Sequence, residues 1–212
     1  MSYTVIFDMD GTLVDTGEIG VRLFSKFLDK HNLKYTRKDV EKVLYMGFVD
    51  VYDEILAKND DAEPDYSLID KIKEEYGRAV EEAPMMNYAK EILEELSKKE
   101  DVQIFLATYS LIEIATKILK FNNIYKYFDK IICSDTYSVV DKADMFSKIL
   151  DFGQLDANKC IVVEDSHYGI AASMHNGIFT IGVKHSYDDL IADVVVDDLH
   201  AAKIVILEKI KE

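Results

Sequence analysis

The sequence predicts an α/β fold in which a doubly wound parallel sheet carries an inserted helical subdomain. Three observations lead there. Short apolar, β-branched runs ending in charge recur along the chain, stretches with helical spacing separate them, and residues 16–84 hold helical patterns but no convincing strand.

The strand runs come in order as TVIF (4–7), VQIFLA (102–107), KIIC (130–133), CIVV (160–163), GIFTIGV (177–183) and DVVV (193–196). Their near-continuous apolar character suits strands buried on both faces of a parallel sheet. Residues 88–99, 112–122, 142–152, 168–176 and 199–210 supply the helices between and after them. In the insertion the patterns fall at 19–31, 37–45, 51–59 and 66–80, with an acidic loop over 59–65. Gly17 and Pro84 mark its limits, so residues 1–15 and 85–212 form the predicted core and 16–84 the helical subdomain. There is no internal repeat and no low-complexity tail.

Composition narrows the function classes. In 212 residues, 25 Lys and Arg against 40 Asp and Glu leave a net charge of −15, in a chain that is 49% hydrophobic and 31% charged. That length can bury a substantial core without staples. The acidity disfavours nucleic acid and anionic membrane as partners, since the densest basic stretch, residues 34–42, is broken by Asp39 and Glu41. No apolar run approaches the roughly 18–20 residues that span a bilayer, and no signal-like leader is read at the start. Cys133 and Cys160 each sit among β-branched residues and read as buried thiols, which points to a reducing, cytoplasmic setting. An anionic substrate would need a local cation to be held by so acidic a protein.

The chemistry-bearing residues gather at predicted strand ends. Asp8-Met9-Asp10-Gly11-Thr12 follows the first strand. Residues two apart in extended chain point the same way, so Asp8 and Asp10 would aim their carboxylates together at the carboxyl edge of the sheet, where open α/β sheets bind ligands. Facing carboxylates need a cation, a shared proton or a turn that moves one aside, and Gly11 allows the turn; the bland alternative is a solvated acidic turn. Glu164-Asp165-Ser166 follows the fourth strand. Two acidic strand ends in one sheet would suit a hard cation, and magnesium favours such carboxylate and carbonyl oxygens, although Asp165 or Ser166 could simply cap the next helix. Thr108, after the second strand, and Lys142, after the third, could hold a phosphoryl oxygen; alone, each reads as an ordinary N-cap and a solvated lysine.

Taken together, Asp8-x-Asp10-Gly11-Thr12, Thr108, Lys142 and Glu164-Asp165-Ser166-x-x-Gly169-Ile170-x-Ala172 resemble the four motifs of the haloacid dehalogenase superfamily of phosphotransfer enzymes. The resemblance spans nearly the whole chain and extends to the inserted helices, since one large subgroup, including phosphoglycolate phosphatase and β-phosphoglucomutase, carries a helical cap after the first motif. It implies Asp8 as nucleophile, Asp10 as acid and then base, and Thr108 and Lys142 as phosphoryl-oxygen ligands. It further implies magnesium held by the Asp8 and Asp165 carboxylates and the Asp10 backbone carbonyl, with Glu164 as a further ligand or a support behind them. The implied substrate is a small phosphorylated metabolite; the oligomeric state is not implied.

The chain also departs from its relatives. Tyr109 stands where many have Asn after the Ser or Thr of the second motif. The His that aids cap closure in β-phosphoglucomutase and the Arg that grips its substrate's second phosphate have no counterpart in residues 15–20 and 46–50. Hydrolysis is therefore expected over mutase chemistry, with a sugar-phosphate mutase or a non-catalytic phosphometabolite-binding protein as alternatives. Asp10 at its position marks phosphate-handling rather than dehalogenating relatives. Tyr45-Met46-Gly47-Phe48 could contact substrate or pack within the cap, and His167 reads as a solvated loop residue near the site.

Overall fold

The computed structural model describes residues 2–44, 48–59, 62–185 and 187–211. The chain divides into two units, Met1–Asp15 with Pro84–Glu212, and Thr16–Ala83.

The smaller unit contains α1 (Gly17–Lys30), α2 (Arg37–Glu41), α3 (Phe48–Leu56) and α4 (Ser67–Ala79). The predicted 37–45 helix stops at Glu41 and tightens into a 3-10 turn over Lys42–Leu44, a common way to close a short helix. Apolar residues one helical turn apart, Phe24 and Leu28 on α1 and Val51 and Ile55 on α3, bury together with Tyr52 and Ile69. Phe48 packs within this unit, its ring 5.6 Å from those of Phe24 and Tyr76. Tyr45, Met46 and Gly47, of the stretch expected either to contact substrate or to pack within the cap, lie outside the described residues.

A capping box starts α2. Thr36 accepts from the Asp39 amide, and the Asp39 carboxylate accepts in return from the Thr36 amide and hydroxyl, each at 2.8 Å. Lys58 adds its ammonium at 2.5 Å. The Lys58 hydrogen bond and then those from Thr36 hold the Asp39 carboxyl at about 2, below its ordinary 3.8. A depressed folded pKa contributes stability that is present above the unfolded value and lost as pH falls through the folded one. Asp39→Asn is therefore expected to cost about 1 kcal/mol near neutral pH. The melting-temperature gap between wild type and variant should close as pH falls from about 4 to about 2.

The larger unit is built on β1 (Tyr3–Phe7), β2 (Val102–Thr108), β3 (Lys130–Cys133), β4 (Cys160–Glu164), β5 (Phe179–Val183) and β6 (Val194–Val196). All pair in parallel, in the order β3-β2-β1-β4-β5-β6. Every residue of β1 and β4 is buried, as a sheet covered on both faces requires. The helices of this unit are α5 (Ala89–Leu96), α6 (Ile112–Phe121), α7 (Lys142–Gly153), α8 (His167–His175) and α9 (Leu199–Lys209). On one face Met145, Phe146 and Ile149 of α7 and Ala172 of α8 bury against Ile6, Phe105, Ile132 and Val162. Elsewhere α5 packs on β2 and α9 on β5 and β6, with Lys203 of α9 ion-paired to Glu91 and Glu95 of α5.

Local chemistry moves two predicted boundaries. Tyr88 takes a left-handed φ of 65°, so α5 begins at Ala89, and Gly177 at φ 69° turns the chain ahead of β5 instead of belonging to it. Pro84 belongs to the larger unit, where its carbonyl accepts from the Asp15 amide at 2.8 Å. Cys133 and Cys160 are buried and free, and burial raises their thiols to about 12 and about 11. Among the described residues no helix is long and apolar enough to cross a membrane.

Candidate active site

The sheet order places β1 and β4 side by side while the chain runs outward from them in opposite directions, so their carboxyl ends meet at a topological switch point. Asp8 leaves β1 with its amide donating to the Val163 carbonyl at 3.0 Å, which carries the parallel pairing one residue beyond the strand. The chain then folds tightly on itself: the amides of Leu13 and Val14 donate to the Met9 carbonyl at 2.9 and 3.0 Å, and the Gly11 amide to the Val14 carbonyl at 2.8 Å. Gly11 is required here twice over. Its φ is 84°, and a Cβ would come within 2.8 Å of the Asp165 carboxylate carbon.

This turn sends the two acids of the first motif to different partners. The Asp8 carboxylate is buried and takes the Lys142 ammonium at 2.5 Å. The Asp10 carboxylate accepts from the hydroxyls of Thr108 at 3.0 Å and Ser110 at 2.9 Å. Thr108 is the fully buried last residue of β2 rather than a helix cap; Leu111 occupies the N-cap position of α6.

Lys142 is no solvated lysine. Asp141 caps α7 by accepting from the Asp144 amide, which leaves Lys142 as the first helical residue with its side chain running inward. Its ammonium donates to Asp8 and to the Ala107 carbonyl at 2.9 Å, and pairs with Glu164 at 3.1 Å. Burial opposes its charge, but Asp8 and Glu164 attract it strongly enough to raise its pKa above the lysine range.

The fourth motif separates the two roles open to it. Ser166 caps α8, accepting from the Gly169 amide at 3.0 Å, and its own amide and hydroxyl donate to Glu164 at 2.9 Å. Asp165 is thereby free of the capping task and accepts from the Thr12 hydroxyl at 3.1 Å. Asp8, Glu164 and Asp165 each offer an oxygen within 4.8 Å of the other two, and all three are buried. The Asp10 carboxylate is not one of this group.

Crowding dominates the electrostatics. Burial, reinforced by Glu164, Asp165 and Asp10, holds the Asp8 carboxyl well above its ordinary range despite Lys142. Burial and then Glu164 push Asp165 up to about 7. Asp8 and Glu164 share the Lys142 ammonium with Asp165 crowded beside them, and the raised Asp8 and Asp165 are the signature of a site that favours a proton or a further cation. An all-oxygen donor set of this kind fits a hard divalent ion.

Two participants were missed as site residues in the sequence. Ser110 and Thr12 hold the acids of the first and fourth motifs, and the spacing Thr108-x-Ser110 at a strand end was the available signal for the former. His167 takes part in a different contact, 3.0 Å from Asp189 and stacked edge-on to Tyr187.

Over residues 5–183 the sequence matches the model of the haloacid dehalogenase-like hydrolases. The chain belongs to this family. Similar proteins include the "Putative pyrophosphatase PpaX" of Caldanaerobacter subterraneus subsp. tengcongensis, 28% identical over 192 residues that cover 86% of this chain and 81% of that protein. The phosphorylated carbohydrates phosphatase of Thermotoga maritima is 27% identical over 192 residues, covering 87% of each. Among solved structures, a conserved haloacid dehalogenase-like protein from Agrobacterium tumefaciens strain C58 shares the fold, with a TM-score of 0.78, 21% identity and full coverage of both chains. This member of the haloacid dehalogenase-like hydrolases is accordingly an enzyme, and its strand-end acids lie within the matched region.

Proposed function

We propose that this hydrolase is a magnesium-dependent phosphatase of small phosphorylated metabolites that works through an aspartyl-phosphate on Asp8. The observation that carries the reading is the buried Asp8 carboxylate, flanked by the Lys142 ammonium and by two further acids within 4.8 Å. The names of the relatives support the substrate class, one being a pyrophosphatase and one a phosphatase of phosphorylated carbohydrates.

In this reading an Asp8 oxygen attacks phosphorus, and the bond from phosphorus to the leaving oxygen breaks with its electron pair. Asp10 gives that oxygen a proton. Asp10 next takes a proton from water, whose oxygen bonds to phosphorus as the phosphorus–Asp8 bond breaks and inorganic phosphate leaves. Lys142 and Thr108 hold the phosphoryl oxygens through both steps. Asp8, Asp165 and Glu164 would hold magnesium, with the Asp10 carbonyl as a further ligand. The ion supplies the positive charge that lets an anionic substrate approach anionic side chains. The helical unit, Thr16–Ala83, serves as the cap that selects the leaving group.

A panel of phosphates tests the proposal: pyrophosphate, hexose phosphates and an aryl phosphate, assayed for inorganic phosphate with and without magnesium. Magnesium-dependent release from at least one supports it. A hexose 1-phosphate converted to its 6-phosphate without release would indicate a mutase, and no turnover across the panel a binding protein.

The acid cluster makes a second expectation concrete. Because the folded pKa of Asp165 lies near 7 and its ordinary value is 3.8, the folded chain keeps a proton that the unfolded chain gives up between those values. Metal-free stability should therefore fall as pH rises from about 4 through about 7. Magnesium answers the same charge, so its upward shift of the melting temperature should be larger at pH 8 than at pH 6. Equal shifts at the two values would contradict a metal site at these acids.

A further inference from the structure

We propose that Tyr109 is a positioning residue for Lys142. Its phenol hydroxyl latches the segment that leads into α7 and so fixes where the lysine begins. The catalytic meaning of this latch rests on the phosphatase reading above; the latch itself does not.

Tyr109 follows Thr108 at the end of β2, and its hydroxyl donates to the Val140 carbonyl at 2.9 Å, 31 residues along the chain. Val140 stands two residues before Lys142. The tyrosine side chain is half exposed at 52%, so burial of the ring does not account for its placement. The segment it reaches is strained, because Tyr137 and Ser138 are consecutive left-handed residues with φ of 56° and 53°, a conformation residues with side chains rarely adopt.

Most of the bonds that hold the segment come from α7 itself. Lys148 donates to the Ser138 carbonyl and to Asp144, both at 2.7 Å, and the Asp144 carboxylate accepts from the Val140 amide at 2.8 Å. These bonds stiffen the segment against its own helix, while Thr136 ties its start to β3 by exchanging hydrogen bonds with Cys133 at 2.8 Å and the Lys142 amide donates to the Tyr168 hydroxyl at 3.5 Å. Tyr109 adds the tie from the end of β2 to Val140, between those two points. The tip of Lys142 is held by the Ala107 carbonyl, two residues before Tyr109, so one strand end grips the lysine at its ammonium and, through Val140, near its root. A long side chain with four rotatable bonds gains from such two-ended placement, since a displacement of about 1 Å at a reacting group costs up to about a hundredfold in rate.

Tyr109→Phe removes the hydroxyl and keeps the ring. Two measurements on this variant decide the matter: hydrogen exchange of the peptide spanning residues 137–142, and steady-state phosphate release at saturating magnesium. The expected result is faster exchange in that peptide at an unchanged melting temperature, with kcat lowered about tenfold and KM moved less than about threefold. Unchanged exchange overturns the latch, and faster exchange with unchanged kcat overturns its positioning of Lys142. A wild-type protein that turns over no phosphate overturns the phosphatase reading instead, and the exchange comparison then still decides whether the latch exists.

Discussion

With Asp8 as the proposed nucleophile, Asp8→Asn is expected to lower phosphate release by on the order of 10,000-fold or more, the loss typical of deleting a group that forms a covalent intermediate. The variant should nevertheless fold. An amide is nearly the same size, its carbonyl oxygen can still accept from Lys142, and one of three crowded buried charges has been removed. The carboxyl it replaces is already held well above its ordinary range by burial and by Glu164 and Asp165. In metal-free buffer at pH 8 the variant's melting temperature should therefore equal or exceed that of the wild type. Loss of activity accompanied by unfolding would assign Asp8 a structural task in place of a chemical one.

Lys142→Met should behave in the opposite way, losing stability as well as activity. The methionine fills similar volume, but Asp8 and Glu164 then keep their burial and lose the ammonium at 2.5 and 3.1 Å. Breaking a buried pair by removing one partner costs about 3–5 kcal/mol. The Ala107 carbonyl loses its donor too. Magnesium can answer part of the exposed negative charge, so denaturant titrations should show the deficit shrinking when the ion is added. Phosphate release should remain abolished even then, because in the proposed mechanism Lys142 also holds phosphoryl oxygens. A variant as stable as wild type in metal-free buffer would show that the three acids do not depend on this ammonium.

How much could be read in advance depended on whether the signal was local. TVIF running into Asp8 and CIVV into Glu164 are strand-end patterns confined to a few residues, and both strands occur with nearly the predicted limits. Four motif positions at successive strand ends made their convergence legible as well. What could not be read was which oxygen meets which partner. The period of two suggested that Asp8 and Asp10 share a direction, yet the turn at Gly11 sends one to Lys142 and the other to Thr108 and Ser110. Either Asp165 or Ser166 could have capped α8; the Gly169 amide goes to Ser166, and Asp165 takes the hydroxyl of Thr12, 153 residues away. The latch from Tyr109 to Val140 joins two loops with no shared pattern, so the sequence showed only that tyrosine was unusual at its position. Short-range rules locate the strand ends; long-range geometry assigns the atoms.

A crystal structure grown with magnesium and beryllium fluoride tests the central claim in one experiment. The account predicts a single ion between Asp8 and Asp165, close to Glu164, with fluoroberyllate bonded to an Asp8 oxygen and facing Lys142 and Thr108. An ion bound away from these acids, or fluoroberyllate attached to any residue other than Asp8, would contradict it.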